Sequence, residues 1–125
     1  MKNAGRVMVI DDDHGVREIL SLALSEEGYD VETAMDGAEG LAMLARRAAD
    51  VVIVDMRMPE LDGSDFCRLY ADQTDGRGRV ILMTAMAGRS VTADMPGVVE
   101  WIAKPFDLDE VLDVIARIIG ASSTA

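Results

Sequence analysis

Five short apolar runs punctuate this chain, and between four of them the apolar residues recur at helical spacing. The runs at 6–11, 29–33, 51–55, 80–83 and 98–103 read as strands. The third, Val51-Val52-Ile53-Val54-Asp55, shows no polar alternation, as required of a strand covered by helices on both faces. Helices fit the intervals: 15–27, with Val16, Ile19, Leu20 and Ala23 on one face and Gly28 closing it, then one opening at Asp36-Gly37 with Ala38, Leu41, Ala42, Leu44 and Ala45. Met58-Pro59-Glu60-Leu61-Asp62-Gly63 reads as a loop, after which Ser64 caps a helix through Phe66, Leu69 and Tyr70. The last helix starts at Asp107 and presents Leu108, Val111, Leu112, Ile115, Ile118 and Ile119 at i, i+3, i+4 and i+7 spacing. The weakest helical segment is 85–97, where Gly88, Thr92, Pro96 and Gly97 predict a short, frayed helix.

Alternating strands and helices with right-handed crossovers leave few topologies. The expected one is an α/β, flavodoxin-like, doubly wound parallel sheet of five strands in order 2-1-3-4-5 with five helices. Its switch point lies between strands 1 and 3. One domain is expected over 1–120, with 121–125 a frayed tail or linker stub.

Composition narrows what this fold can do. Half the residues are hydrophobic but only 4% aromatic, so the core is built from aliphatic side chains, with nine methionines as gap-fillers. A formal charge of −11 argues against direct nucleic-acid binding. The single cysteine, Cys67, makes no internal disulfide and reads as a small packing residue, and the only histidine, His14, receives no role. No apolar run approaches the roughly 18 residues that span a bilayer, and the first residues lead straight into a strand without a signal segment, so a cytoplasmic protein with no membrane contact is expected.

Strand ends carry the chemistry. Strand 1 ends in Asp11-Asp12-Asp13, strand 3 in Asp55, strand 4 in Thr84, and Lys104-Pro105 follows strand 5. A parallel sheet gathers these positions along one edge, where like-charged carboxylates need a divalent cation and a lysine to neutralise them. Taken together, Val9-Ile10-Asp11-Asp12-Asp13, Val54-Asp55-Met56-Arg57-Met58-Pro59 with Asp62-Gly63, Leu82-Met83-Thr84-Ala85 and Lys104-Pro105-Phe106 closely resemble the receiver domain of bacterial two-component response regulators, the chemotaxis regulator among them.

That resemblance implies that Asp55 accepts a phosphoryl group from a sensor histidine kinase or a phosphotransfer protein, in a Mg²⁺-dependent reaction. Asp12 and Asp55 would hold the metal directly, the Arg57 backbone carbonyl would complete the set, and Asp11 would act through water. Lys104 would pair with a phosphoryl oxygen and Thr84 would donate its hydroxyl to another. The resemblance couples Thr84 to an aromatic three residues before the lysine, here Trp101 where Tyr or Phe is usual, and so to the surface of the 85–97 helix, strand 5 and the last helix. A signalling domain rather than a turnover enzyme is implied, acting on a downstream partner or effector domain, with homodimerisation on phosphorylation as one mode. The bulky Arg57 is expected to modulate phosphoryl lifetime. The competing reading is a haloacid-dehalogenase-type phosphatase with Asp11 as nucleophile. Against it, Gly15 stands where that family wants Thr or Val, no acidic pair follows the lysine on a further strand, and Asp55 would have no task.

Overall fold

The computed structural model describes residues 4–85 and 95–123. Its strands are β1 (Arg6–Ile10), β2 (Asp30–Ala34), β3 (Val51–Asp55), β4 (Val80–Thr84) and β5 (Val98–Ala103), and its helices α1 (His14–Glu26), α2 (Gly37–Arg46), α3 (Gly63–Thr74) and α4 (Leu108–Ser123). All pairings are parallel, in the expected order β2-β1-β3-β4-β5. Most of the helix expected over 85–97 lies outside the described residues.

The period-2 alternation of each strand divides the core into two layers. Val7, Val9, Val51, Ile53, Ile81, Met83 and Ile102 face α1 and α4, meeting Leu20, Leu24, Val111, Ile115 and Ile119. Met8, Ile10, Val52, Val54, Val80 and Leu82 face α2 and α3, meeting Leu44, Phe66, Cys67 and Tyr70. Every residue of β3 is buried, as its unbroken apolar run requires. Burying a side chain such as Leu20 or Leu24 contributes about 1.5–3 kcal/mol.

The helix faces depart from expectation in instructive places. Ile19 is 52% exposed and Leu69 46%, so α1 buries Leu20 and Leu24, and α3 buries Phe66, Cys67 and Tyr70. On α2 the inward stripe is Gly37, Gly40 and Leu44, while Ala38, Ala42 and Ala45 face outward. Gly40 is small because a Cβ there would run into the Ile10 side chain, so α2 lies close against β1. Asp62, not Ser64, caps α3, its carboxylate accepting from the Asp65 N–H at 2.9 Å. Asp107 stands just before α4 and its carbonyl accepts from the Val111 N–H. That helix continues through Gly120 to Ser123, past the residue at which the tail was expected to begin.

A candidate divalent-cation and phosphoryl site

Asp11, Asp55 and Lys104 continue the strand parity that faces α1 and α4, so the alternation that builds one core layer also turns these three side chains to one side of the sheet edge. Lys104 Nζ stands 3.0 Å from Asp11 Oδ2 and 3.4 Å from Asp55 Oδ1. Carboxylate oxygens of Asp11, Asp12 and Asp55 all lie within 4.8 Å of one another. Asp11 is 2% exposed and Asp55 8%, whereas Asp12 opens to solvent.

Burial and the neighbouring Asp11 charge push the Asp55 carboxyl above its ordinary range, against the pull of Lys104 and the Arg57 backbone N–H. Burial alone would lower the Lys104 ammonium, but its hydrogen bond to Asp11 and the two carboxylate charges hold it above its ordinary value. Lys104 is therefore charged, and it is the one cation within salt-bridge reach of Asp11 or Asp55 among the described residues. One lysine cannot balance three carboxylates. Hard oxygen donors, clustered and partly open to water, are the donor set that Mg²⁺ favours, so these residues fit that ion.

The loop positions around the acids are fixed by the backbone. Asp13 caps α1 through its carboxylate, as expected for a helix-start residue, and its N–H donates to Asp11 Oδ1 at 2.9 Å. Arg17 donates from its guanidinium to the Asp11 carbonyl at 2.8 Å. Sequence reading passed over Arg17; its signal was a cation in the first turn of a helix, where the helix dipole disfavours positive charge. His14 is exposed at the start of α1, beside Glu18 and Arg17. Beyond β3, the Met56 N–H donates to the Met83 carbonyl and the Gly63 N–H to the Met56 carbonyl, which carries exposed Arg57 away from the sheet in a fixed path.

Thr84 ends β4 and is 4% exposed. The Lys104 N–H donates to its carbonyl at 2.8 Å, locking the ends of β4 and β5 together. Thr84 follows the parity of Val80 and Leu82, and Trp101 pairs in register with Leu82, so Thr84 and Trp101 share the α2–α3 side of the sheet. Trp101 is half-buried there against the second core layer. The peptide bond between Lys104 and Pro105 is cis.

A family model for the response regulator receiver domain matches residues 7–116. The response regulator MprA of Mycobacterium sp. (strain KMS) is 39% identical over 114 residues, covering 86% of this chain and 47% of that protein. The MprA of Mycobacterium leprae (strain TN) is 37% identical over 121 residues, covering 91% of this chain and 50% of its own. The chain thus spans about half the length of the curated relatives it matches. Among solved structures, the receiver domain of Francisella response regulator 1452 superposes with a TM-score of 0.86 at 26% identity, covering 95% of this chain and 99% of that one. The Vibrio cholerae chemotaxis protein CheY4 superposes at 0.82 with 29% identity, covering 90% and 97%. The chain belongs to the response regulator receiver family, a family of two-component signalling domains.

Proposed function

We propose that Asp55 is the phosphoacceptor of this receiver domain and that Asp11, Asp12, Asp55 and the Arg57 carbonyl form its Mg²⁺ site. The observation that carries the reading is the gathering of three carboxylates around one lysine at the switch point of the sheet, with Asp55 on the central strand. Both Asp11 oxygens are already engaged, one by the Asp13 N–H and the other by Lys104. Asp55 carries the weaker contact to Lys104, at 3.4 Å, which favours it over Asp11 as the nucleophile.

In the step proposed, a carboxylate oxygen of Asp55 attacks the phosphorus of a phosphohistidine on a sensor kinase or phosphotransfer protein. The phosphorus–oxygen bond forms as the phosphorus–nitrogen bond breaks, the imidazole leaves with the nitrogen's electron pair, and Asp55 becomes an acyl phosphate. Mg²⁺, when bound, would neutralise the anionic oxygens that otherwise repel one another. Lys104 meets one phosphoryl oxygen as a compact point charge, and the Thr84 hydroxyl donates to another. Water later hydrolyses the acyl phosphate, at a rate that exposed Arg57, two residues beyond Asp55, adjusts. The domain acts as a switch and not as a turnover enzyme. Thr84 and Trp101 on one side of the sheet provide the route by which phosphate at the edge alters β5, and through it a downstream partner, effector domain or second copy of the chain.

The receiver unit is read as 1–120, with α4 continuing past that boundary to Ser123. No helix among the described residues is long and apolar enough to cross a membrane. A cytoplasmic setting follows from the proposed kinase donor. Incubation with a small acyl-phosphate donor tests the assignment by intact-mass spectrometry. One added phosphoryl group, dependent on Mg²⁺ and absent from Asp55→Asn, is the expected result; modification of Asp55→Asn to the same extent would overturn it.

A further inference from the structure

Asp12 is the exposed member of the acid cluster, and among the described residues no donor reaches its carboxylate. Its place is therefore set by the two peptide groups that flank it. The peptide after it is pinned where the Asp13 N–H donates to Asp11 Oδ1 at 2.9 Å. The peptide before it is pinned where Arg17 Nη1 donates to the Asp11 carbonyl at 2.8 Å. Because a peptide group is planar, holding the Asp11 carbonyl also fixes the direction in which the chain enters Asp12.

Arg17 stands one turn into α1, on the helix that leaves the acid loop. Its other terminal nitrogen stands 3.4 Å from His14 Nδ1, so the guanidinium lies between the strand end and the helix start. No salt bridge to Arg17 is formed among the described residues, so its charge is not spent on a carboxylate there. A cation in the first turn of a helix opposes the helix dipole, and one beside a Mg²⁺ site opposes the metal's charge. Geometry is what remains to recommend an arginine in this place.

We propose that Arg17 is a positioning residue for the divalent cation: by holding the Asp11–Asp12 peptide it presents the Asp12 carboxylate in ligating position and so sets Mg²⁺ affinity. The inference rests on the reading of Asp11, Asp12 and Asp55 as the Mg²⁺ site. Charge and geometry pull in opposite directions here, which makes the proposal testable. Removing a positive charge strengthens cation binding if charge is all that Arg17 contributes. Releasing the peptide weakens it, and the loss of a group supporting a metal ligand typically costs from tenfold upward in affinity.

The test is isothermal titration of Mg²⁺ into the wild type, Arg17→Met, Arg17→Lys and Arg6→Met, each at a temperature where thermal unfolding shows the metal-free variant folded. Arg17→Met is expected to bind Mg²⁺ about tenfold more weakly. Arg17→Lys, which keeps the charge and a single donor, falls between it and the wild type. Arg6→Met, which loses an arginine at the opposite edge of the sheet, retains wild-type affinity. Equal or tighter binding by Arg17→Met overturns the proposal while leaving the Mg²⁺ site standing. If Arg17→Met does not fold, Arg17→Lys carries the test, and wild-type affinity in that variant overturns it. A wild type that takes up no Mg²⁺ overturns the metal-site reading, and this inference with it.

Discussion

The two edges of this sheet treat charge in opposite ways. At the edge where the strands begin, Arg6 bonds to Asp30 at 3.1 Å, to Glu32 at 2.7 Å and to the Ala48 carbonyl, while Arg47 shares Asp30 and the Arg6 N–H donates to Asp50. Each of those carboxylates has a donor beside it. At the edge where the strands end, Lys104 is the one cation beside Asp11 and Asp55 among the described residues, and Asp12 has no donor among them. The first arrangement closes a network and holds β1, β2 and the loop before β3 together. The second leaves negative charge unmatched in a half-buried crevice, which costs stability unless a ligand supplies the missing positive charge. An excess of acid is therefore informative only where its partners are missing.

The largest effect is expected from removing a carboxylate at the open edge. Asp12→Asn is expected to weaken Mg²⁺ binding by about 10–100-fold, by analogy with the loss of groups that support metal ligands, and calorimetry reads it directly. Phosphorylation from a small donor falls with it.

At the closed edge the expected loss is of stability instead. The Arg6 side chain is 11% exposed, and its removal strands Glu32 and leaves Asp30 to Arg47 alone, both carboxylates being 34% exposed. Solvent screening softens the penalty of a buried unpaired charge, so Arg6→Met should cost about 1–3 kcal/mol in urea unfolding. An unchanged urea midpoint would mean that the network contributes nothing.

A glycine sharpens the same contrast from inside the open edge. A Cβ on Gly63 would stand 2.9 Å from Met56 Cα, and backbone cannot swing aside as a side chain can. Gly63→Ala is expected to cost about 1–3 kcal/mol, as overpacking does, and to weaken Mg²⁺ binding because Met56 carries the chain to the Arg57 carbonyl. Loss of stability with intact Mg²⁺ affinity would separate the two effects.

The smallest effect has an unusual sign. Burial and the Asp11 charge raise the Asp55 carboxyl, so the fold disfavours its ionised form. The stability associated with this group is complete below the ordinary carboxylate range and is lost as pH rises through the raised value. Metal-free Asp55→Asn should therefore be more stable than the wild type at neutral pH, with the difference closing in acid and on adding Mg²⁺. Urea midpoints at two pH values check this, and a less stable variant at neutral pH would contradict it.

The strands were legible because unbroken apolar runs such as 51–55 occur in a short chain only where both faces are covered. The site was legible for a related reason: a charged residue ending such a run must lie at the sheet edge, and four runs end in Asp11, Asp55, Thr84 and, one residue on, Lys104. What failed was the assignment of helix faces. Leu20 and Tyr70 are buried as their hydrophobicity suggests, yet Ile19 and Leu69 beside them, equally apolar, turn outward. On α2 a glycine stripe faces inward, and hydrophobicity alone does not mark glycine as a core residue. Arg17 escaped notice because its partner is a backbone carbonyl, which leaves no trace in residue type.

If the open edge serves Asp55 as phosphoacceptor, the phosphoryl group is carried on that carboxylate as an acyl phosphate. Acyl phosphates are reduced by borohydride to the alcohol, so a protein phosphorylated with a small donor and then reduced carries homoserine where the phosphate stood. Peptide mapping by mass spectrometry should find that residue at position 55 and only in samples given Mg²⁺. Homoserine at position 11 would instead support the phosphatase-type nucleophile and contradict the account.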